Sequence, residues 1–116
     1  MTPLPTLDVE DLGSVIVIAL RGDLDLANLP EFDRALRAAM PNGPRALVLD
    51  LDGAGFLDSS AVQVLFTLHR DLQQRRQAFA LVLDAEAPTR RALELSDPSG
   101  VLTVHATRDA ALAAAA

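Results

Sequence analysis

Short apolar segments alternate along this chain with longer amphipathic segments. The short segments are rich in Val, Ile and Leu and end at Gly, Pro or Asp, which is typical of β-strands. The longer segments repeat apolar residues every three or four positions, which is typical of helices. After an opening hairpin the two types alternate. The pattern therefore predicts one α/β domain over residues 1–116, with a mixed sheet of four to five strands and about four helices.

The predicted strands begin with a hairpin. Residues 7–9 and 15–20 are expected to pair through a turn at residues 11–13, and Arg21 and Gly22 are expected to end the second strand as a turn. The next apolar run is nearly continuous, which favours a central strand buried on both faces. It and the remaining predicted strands span residues 45–52, 78–83 and 101–104.

The predicted helices begin at recognisable start signals. Asn28 is expected to cap the first helix, with Pro30 in its first turn, and the Pro-Asn-Gly-Pro sequence at 41–44 is expected to end it. A long helix is predicted from near residues 58–60 to about residue 76. A short helix at residues 87–95 and a terminal helix at 108–116, capped by Thr107, complete the set.

Composition and charge exclude several classes of function. Aromatic residues make up 3% of the chain and the net charge is −6, so neither a nucleic acid nor an anionic membrane surface is an expected partner. The chain has no Cys, which excludes a thiolate nucleophile, and no Lys, which excludes chemistry at an ammonium group. The first ten residues lack the pattern of a signal peptide, so we expect a cytoplasmic protein.

Residues 53–60 (Gly-Ala-Gly-Phe-Leu-Asp-Ser-Ser) connect the central strand to the long helix. Binding sites in open α/β sheets concentrate at such carboxyl ends of parallel strands. Ser60 and Gln63 have the spacing of a capping box, so Ser60 is expected to cap the helix. Ser59 would then lie just outside the helix, with its hydroxyl free to meet a partner. On local sequence alone, Asp-Ser-Ser is equally an ordinary capping sequence with no regulatory role.

A second acidic turn is predicted at residues 22–25 (Gly-Asp-Leu-Asp). Asp25 would approach Asp58 if the strands that precede these two residues are neighbours in the sheet. The alternative is a solvated turn without a functional role.

Taken together, residues 20–25, 49–52 and 56–62 resemble the STAS family of anti-sigma factor antagonists, and the resemblance in length and element order covers nearly the whole chain. By this resemblance Ser59 matches the phosphorylated serine of the family and Asp25 matches its first acidic turn. The family's loop usually continues Ser-Gly-Leu, whereas this chain has Ser-Ala-Val, and we expect the methyl group of Ala61 to narrow a kinase's approach to the backbone. The partner-binding residues implied are Asp25, Asp58, Ser59, Ser60 and Ala61.

The resemblance also implies a partner-switching cycle. The unmodified antagonist would bind an anti-sigma factor with serine kinase activity, phosphorylation of Ser59 would end that binding, and a metal-dependent serine phosphatase would restore it. In this cycle Asp25 and Asp58 would position the hydroxyl or shape the acidic contact surface, and Asp58 is also a candidate proton acceptor. ATP and magnesium would belong to the kinase, so the chain itself is expected to be no enzyme and to need no cofactor.

Two other classes of function do not match these residues. A phosphoryl-receiver domain would need a Lys near the phosphate, and this chain has no Lys. A serine hydrolase would need a G-x-S-x-G elbow with a His in reach, and Ser59 lacks that elbow. His69 and His105 are instead expected in the core and at the sheet edge, and they are too far apart in sequence to indicate a metal site. The remaining alternative is a STAS scaffold or small-ligand sensor that is never phosphorylated. The sequence does not indicate an oligomeric state.

Overall fold

A five-stranded mixed sheet and four helices make up the computed structural model, which describes residues 2–40 and 45–115. The strands are β1 (Thr6–Asp11), β2 (Val15–Leu24), β3 (Ala46–Leu57), β4 (Phe79–Val82) and β5 (Val104–His105). The helices are α1 (Leu29–Ala39), α2 (Ser59–Gln74), α3 (Pro88–Ser96) and α4 (Arg108–Ala115). The predicted α/β fold class is confirmed. The expected helix stop at residues 41–44 and the last residue of the predicted terminal helix lie outside the described residues.

The strands lie in the sheet in their order along the chain. β1 is antiparallel to β2, and β2 to β5 are parallel to one another. The predicted opening hairpin is confirmed, and Gly13 adopts a φ of 89° in its turn, a conformation that residues with a Cβ rarely adopt. Because the parallel strands are joined by helices, the carboxyl ends of β2, β3 and β4 meet at one end of the sheet.

The two faces of the sheet bury separate apolar clusters, since alternate side chains of a strand point to opposite faces. The larger cluster packs the sheet against α1, α2 and α3, and its members on these helices include Phe32, Leu36, Val62, Leu65, Leu68, Leu72 and Leu93. The smaller cluster joins Val15, Val17, Ala46, Val48 and Val82 to Ala111 of α4. α4 is further attached through Arg108, which donates to the buried carboxylate of Asp50 at 2.9 Å.

The predicted turn at Arg21 and Gly22 is wrong, and so is the predicted loop from residue 53 to residue 57. β2 continues to Leu24 and β3 to Leu57, and these last residues pair with each other. Close strand packing requires glycine here, because a Cβ on Gly53 would lie 2.5 Å from the carbonyl oxygen of Leu20. Gly22 has a φ of 126°, and the register shifts on both sides of it. The glycines thus allow an irregular strand pair where the sequence suggested turns.

The remaining bounds differ less from expectation. β4 is shorter than the predicted 78–83, and β5 lies at residues 104–105 rather than 101–104. The carboxylate of Asp97 accepts the backbone N–H groups of Val101 and Leu102, each at 2.9 Å, which holds these residues in a loop. The predicted cap of the last helix is confirmed, since the Thr107 hydroxyl accepts the N–H of Ala110 at 3.1 Å.

None of the helices in residues 2–40 and 45–115 combines the length and the apolar character needed to cross a membrane.

Candidate phosphoacceptor and partner-binding site

Ser59 is the first residue of α2, directly after the carboxyl end of β3. Its side chain is exposed, and among the hydrogen bonds of residues 2–40 and 45–115 none involves its hydroxyl group. The sequence placed Ser59 just outside the helix, whereas the structure places it at the first helical position. In either position the hydroxyl is accessible from solvent.

Asp58, not Ser60, caps α2. The Asp58 Oδ1 atom accepts the backbone N–H of Ala61 at 2.9 Å and also accepts the hydroxyl of Ser60. The predicted cap at Ser60, and with it the capping box formed with Gln63, is therefore wrong by two residues. Both Asp and Ser are good caps, so local sequence did not discriminate between them. Ser60 is half-buried in the first turn, and it supports the capping carboxylate rather than replacing it.

The acidic turn predicted at residues 22–25 is wrong in its bounds, since residues 22–24 belong to β2 and the turn begins at Asp25. This turn lies beside the cap, as predicted from neighbouring strands. The backbone N–H of Asp58 donates to the carbonyl oxygen of Leu24 at 3.3 Å. The second carboxylate oxygen of Asp58 accepts the backbone N–H of Leu26 at 3.2 Å. Asp58 therefore connects the start of α2 to the turn that contains Asp25, and the two acidic segments form one surface.

Both oxygens of the Asp25 carboxylate accept hydrogen bonds within the domain. One oxygen accepts the N–H of Ala27 at 2.9 Å, and the other accepts the hydroxyl of Thr2. The side chain is half-buried, so only part of it faces solvent. Its contribution is thus to shape the turn as well as to add negative charge to the surface.

Asn28 holds this turn together, which the sequence did not predict. It occupies the N-cap position of α1 but makes no side-chain capping bond. Its buried amide instead donates to the carbonyl oxygens of Asp23 at 2.8 Å and Pro3 at 3.0 Å, and it accepts the N–H of Asp25 at 3.1 Å. The bond to Pro3 spans 25 residues, so no local pattern signals it.

The pKa of the Asp58 carboxyl group lies below its usual value. Burial raises this pKa, but the hydrogen bonds from the Ser60 side chain and from the N–H groups of Ala61 and Leu26 lower it by more. Asp58 is therefore ionised at neutral pH. Both carboxylate oxygens already accept hydrogen bonds from these donors, and within residues 2–40 and 45–115 none joins Asp58 to the Ser59 hydroxyl, so the geometry does not favour Asp58 as its proton acceptor.

Ala61 faces the interior rather than the surface. Its side chain is 1% exposed and belongs to the large apolar cluster. The expectation that its methyl group narrows a kinase's approach to the backbone is therefore wrong. A buried methyl group offers no surface to a partner, so the assignment of Ala61 to the partner-binding residues is wrong as well.

The two histidines lie elsewhere. His69 is ten residues further along α2 than Ser59, about 15 Å by the helical rise, and its ring lies near Phe79 with the centroids 6.4 Å apart. His105 is in the edge strand β5. His69 is thus too far along the helix to act as a base on Ser59.

Comparison with known proteins identifies the family. A family model described as the STAS domain matches residues 6–111. The chain belongs to the STAS family. The crystal structure of an anti-sigma factor antagonist from Mycobacterium paratuberculosis superposes on this STAS domain with a TM-score of 0.84, at 31% identity, covering 96% of this chain and 93% of that one.

Two curated relatives are also named as anti-sigma factor antagonists. BtrV of Bordetella bronchiseptica, named as a candidate anti-sigma factor antagonist, is 25% identical over 108 residues, which cover 93% of this chain and 92% of BtrV. The anti-sigma-F factor antagonist RsfB of Mycobacterium tuberculosis is 32% identical over 60 residues, which cover 52% of this chain and 49% of RsfB. The STAS domain described here is thus similar to antagonists over nearly its full length.

Proposed function

We propose that this STAS protein is a cytoplasmic anti-sigma factor antagonist controlled by phosphorylation of Ser59. In its unmodified form it binds an anti-sigma factor that is also a serine kinase, and phosphorylation of Ser59 releases it. A metal-dependent serine phosphatase returns it to the binding form. The names of the relatives support the antagonist role, and the surface around Ser59 supports the switch.

The observation that carries the proposal is the exposed hydroxyl of Ser59 at the junction of β3 and α2, which makes no hydrogen bond within the part of the chain that the structure describes. The helix is already capped by Asp58, so modification of Ser59 breaks no capping bond. A kinase therefore reaches its acceptor on the folded domain. The antagonist contributes the positioned hydroxyl, while the kinase supplies ATP, magnesium and the electrostatic stabilisation on which phosphoryl transfer depends.

Phosphorylation would change the charge of this surface more than its fold. A phosphate adds a charge of about −2 at neutral pH. The helix N-terminus favours a negative charge, but the ionised carboxylate of Asp58 already occupies that position and repels a second one. The phosphate is thus directed outward, into the space that the unmodified surface offers to the anti-sigma factor. Release follows from added bulk and like-charge repulsion.

The roles of the neighbouring residues follow from their contacts. Asp58 and Ser60 fix the first turn of α2, and Asp25 shapes the adjoining turn and makes the contact surface acidic. None of them is proposed to take the proton of Ser59. The chain is a binding protein in this account, and the catalytic groups belong to its partners.

The proposal is tested by incubating the protein with the anti-sigma factor kinases of its own genome, ATP and magnesium, and mapping modified residues by mass spectrometry. We expect one phosphoryl group, located on Ser59. Ser59→Ala should abolish it, and the matched variant Ser60→Ala should retain it. If none of the kinases modifies Ser59 while the folded protein still binds one of them, the alternative of a scaffold or ligand-sensing domain that is never phosphorylated is favoured.

A further inference from the structure

Two large apolar side chains are exposed at the same end of the sheet as Ser59. Leu26 is 74% exposed and Phe56 is 51% exposed. The chain has only four Phe residues, and of these Phe32 and Phe79 are buried while Phe66 packs partly against the core. Single exposed apolar residues are common on protein surfaces, but two large ones on segments that flank the same proposed contact residue indicate an interaction surface.

The strand register explains why Phe56 is exposed. Phe56 pairs with Asp23 across β2 and β3, and the next pair, Leu24 with Leu57, is buried in the core. Since side chains alternate along a strand, Phe56 and Asp23 face away from that core. The fold therefore displays an aromatic ring beside a carboxylate, three residues before Ser59.

Leu26 is held beside the same site by its backbone. Its N–H donates to the carboxylate of Asp58, the residue that caps α2 directly before Ser59. This bond fixes the backbone of the turn while the leucine side chain remains in solvent. Leu26 and Phe56 are therefore displayed on two segments that hydrogen bonds tie together, and presenting them requires little ordering when a partner binds.

The two segments that carry this pair contain charged residues of one sign, and the nearby Arg21, which pairs with Gly53, is engaged in an ion pair with Asp8. The segments 23–28 and 53–60 contain three acids, Asp23, Asp25 and Asp58, and no basic residue. Apolar anchors surrounded by carboxylates are complementary to an apolar pocket bordered by Arg or Lys. The partner surface is therefore expected to be an apolar pocket with basic residues at its border.

Building on the proposed function, we infer that Leu26 and Phe56 are the apolar anchors with which this protein docks on its anti-sigma factor, in an apolar pocket bordered by basic side chains. Docking is then separate from phosphoryl transfer. The two anchors supply affinity, and Ser59 supplies the reacting hydroxyl. Loss of an anchor should weaken binding and raise the KM of the kinase for this protein while leaving kcat unchanged.

The chain offers closely matched controls. Leu95 is 71% exposed at the end of α3, and Val101 is 49% exposed in the loop before β5, which places both at the opposite end of the sheet. Leu26→Gln is compared with Leu95→Gln, and Phe56→Thr with Val101→Thr. Leu26→Gln keeps the backbone N–H that binds Asp58. Thermal unfolding of each variant establishes that it is folded before binding is measured.

The experiment is a titration of the anti-sigma factor without ATP, followed by kinase kinetics. Leu26→Gln and Phe56→Thr should each raise Kd by about tenfold or more, and the two controls should leave it within about twofold. Binding of the wild type should weaken as salt concentration rises, because salt screens the contact between acidic and basic groups.

The two proposals fail in different ways. Anchor variants that bind as tightly as their controls, beside a wild type that binds normally, would overturn the docking inference alone. A salt-independent Kd would overturn the basic border of the pocket. A wild type that binds none of the anti-sigma factors of its genome would overturn the proposed function and the docking inference together.

Discussion

The carboxylate of Asp58 bonds to the backbone N–H of Leu26 at 3.2 Å and to the N–H of Ala61 at 2.9 Å. One side chain thus caps α2 and fastens the turn after β2 to it. The exposed hydroxyl of Ser59 lies directly after this connection. The shape of the proposed contact surface therefore depends on Asp58 more than on either serine.

Removing the Asp58 carboxylate should destabilise the domain. Asp58→Ala should lower the free energy of unfolding by about 0.5 to 2 kcal/mol, the usual cost of a lost N-cap. Asp58→Asn should cost less, because its amide oxygen can still accept the N–H of Ala61, although its NH₂ group would face the N–H of Leu26. Urea denaturation measures these changes. The control is Glu31→Ala, which removes an exposed acid from the first turn of α1; an equal loss there would contradict the capping role.

The lowered pKa of Asp58 predicts how stability depends on pH. The pKa is lower in the folded chain than the usual 3.8 of the unfolded chain, so ionisation favours folding. This contribution is complete above the unfolded pKa, and it is lost as pH falls through the folded pKa. The difference in unfolding free energy between wild type and Asp58→Asn should therefore be constant above about pH 5 and shrink below about pH 4.

Asp11 also contributes to the pH dependence of wild-type stability, so the wild type alone would not isolate the contribution of Asp58. Its pKa is also lowered, by the hydrogen bond from the N–H of Gly13 and by Arg45, so its contribution is lost over the same acidic range. Asp11 is present in both proteins, so the difference between wild type and Asp58→Asn cancels it. A difference that grew as the solution became more acidic would contradict the lowered pKa of Asp58.

Loss of the Asn28 side chain should lower the free energy of unfolding by more than loss of an ordinary cap, because this side chain forms hydrogen bonds with three backbone groups. Asn28→Ala would leave the carbonyl oxygens of Pro3 and Asp23 and the N–H of Asp25 without this partner, at a cost of about 1 to 3 kcal/mol in unfolding free energy. Asn28→Asp should be destabilising too, since a carboxylate would face the two carbonyl oxygens. Thermal and urea unfolding measure both losses. Unchanged stability in both variants would show that the turn is held by other contacts.

Ser60→Ala separates the two serines. It removes the hydroxyl that donates to Asp58 but leaves the bond from Ala61 to Asp58 in place. The unfolding free energy should therefore fall by about 0.5 kcal/mol, less than the loss of a true cap. Phosphorylation of Ser59 should continue. A loss as large as that of Asp58→Ala would restore Ser60 to the capping role that the sequence indicated.

Periodicity predicted the order of strands and helices well because burial imposes it along the whole chain. The apolar runs of β2 and β3 and the amphipathic segment that forms α2 all appear where expected. The predicted ends of β2 and β3 were wrong, and both errors occurred at glycines. Gly22 and Gly53 indicated turns, yet they permit two strands to pair closely beyond the apolar runs. Such a pairing depends on a partner strand about 30 residues away, which a local pattern does not contain.

Most residues of the candidate site were predicted, but its hydrogen bonds were not. Asp25, Asp58, Ser59 and Ser60 lie together as expected, because neighbouring parallel strands bring their carboxyl ends together. The choice of Asp58 as the cap is reinforced by the N–H of Leu26, which is distant in sequence. Asn28 was missed for the same reason. Ala61 was assigned to the surface, although its spacing from Leu65 and Leu68 along the helix puts it on the buried face.

The switch itself is tested by one comparison of binding to the anti-sigma factor. Calorimetric titrations would use wild type, Ser59→Ala, Ser59→Asp and protein phosphorylated on Ser59. Ser99→Asp serves as the control, because it adds a negative charge in the exposed turn between α3 and β5, at the other end of the sheet. We predict that wild type, Ser59→Ala and Ser99→Asp bind alike, and that Ser59→Asp and the phosphorylated protein bind at least about tenfold more weakly. Equal binding by the phosphorylated and unmodified proteins would contradict the account.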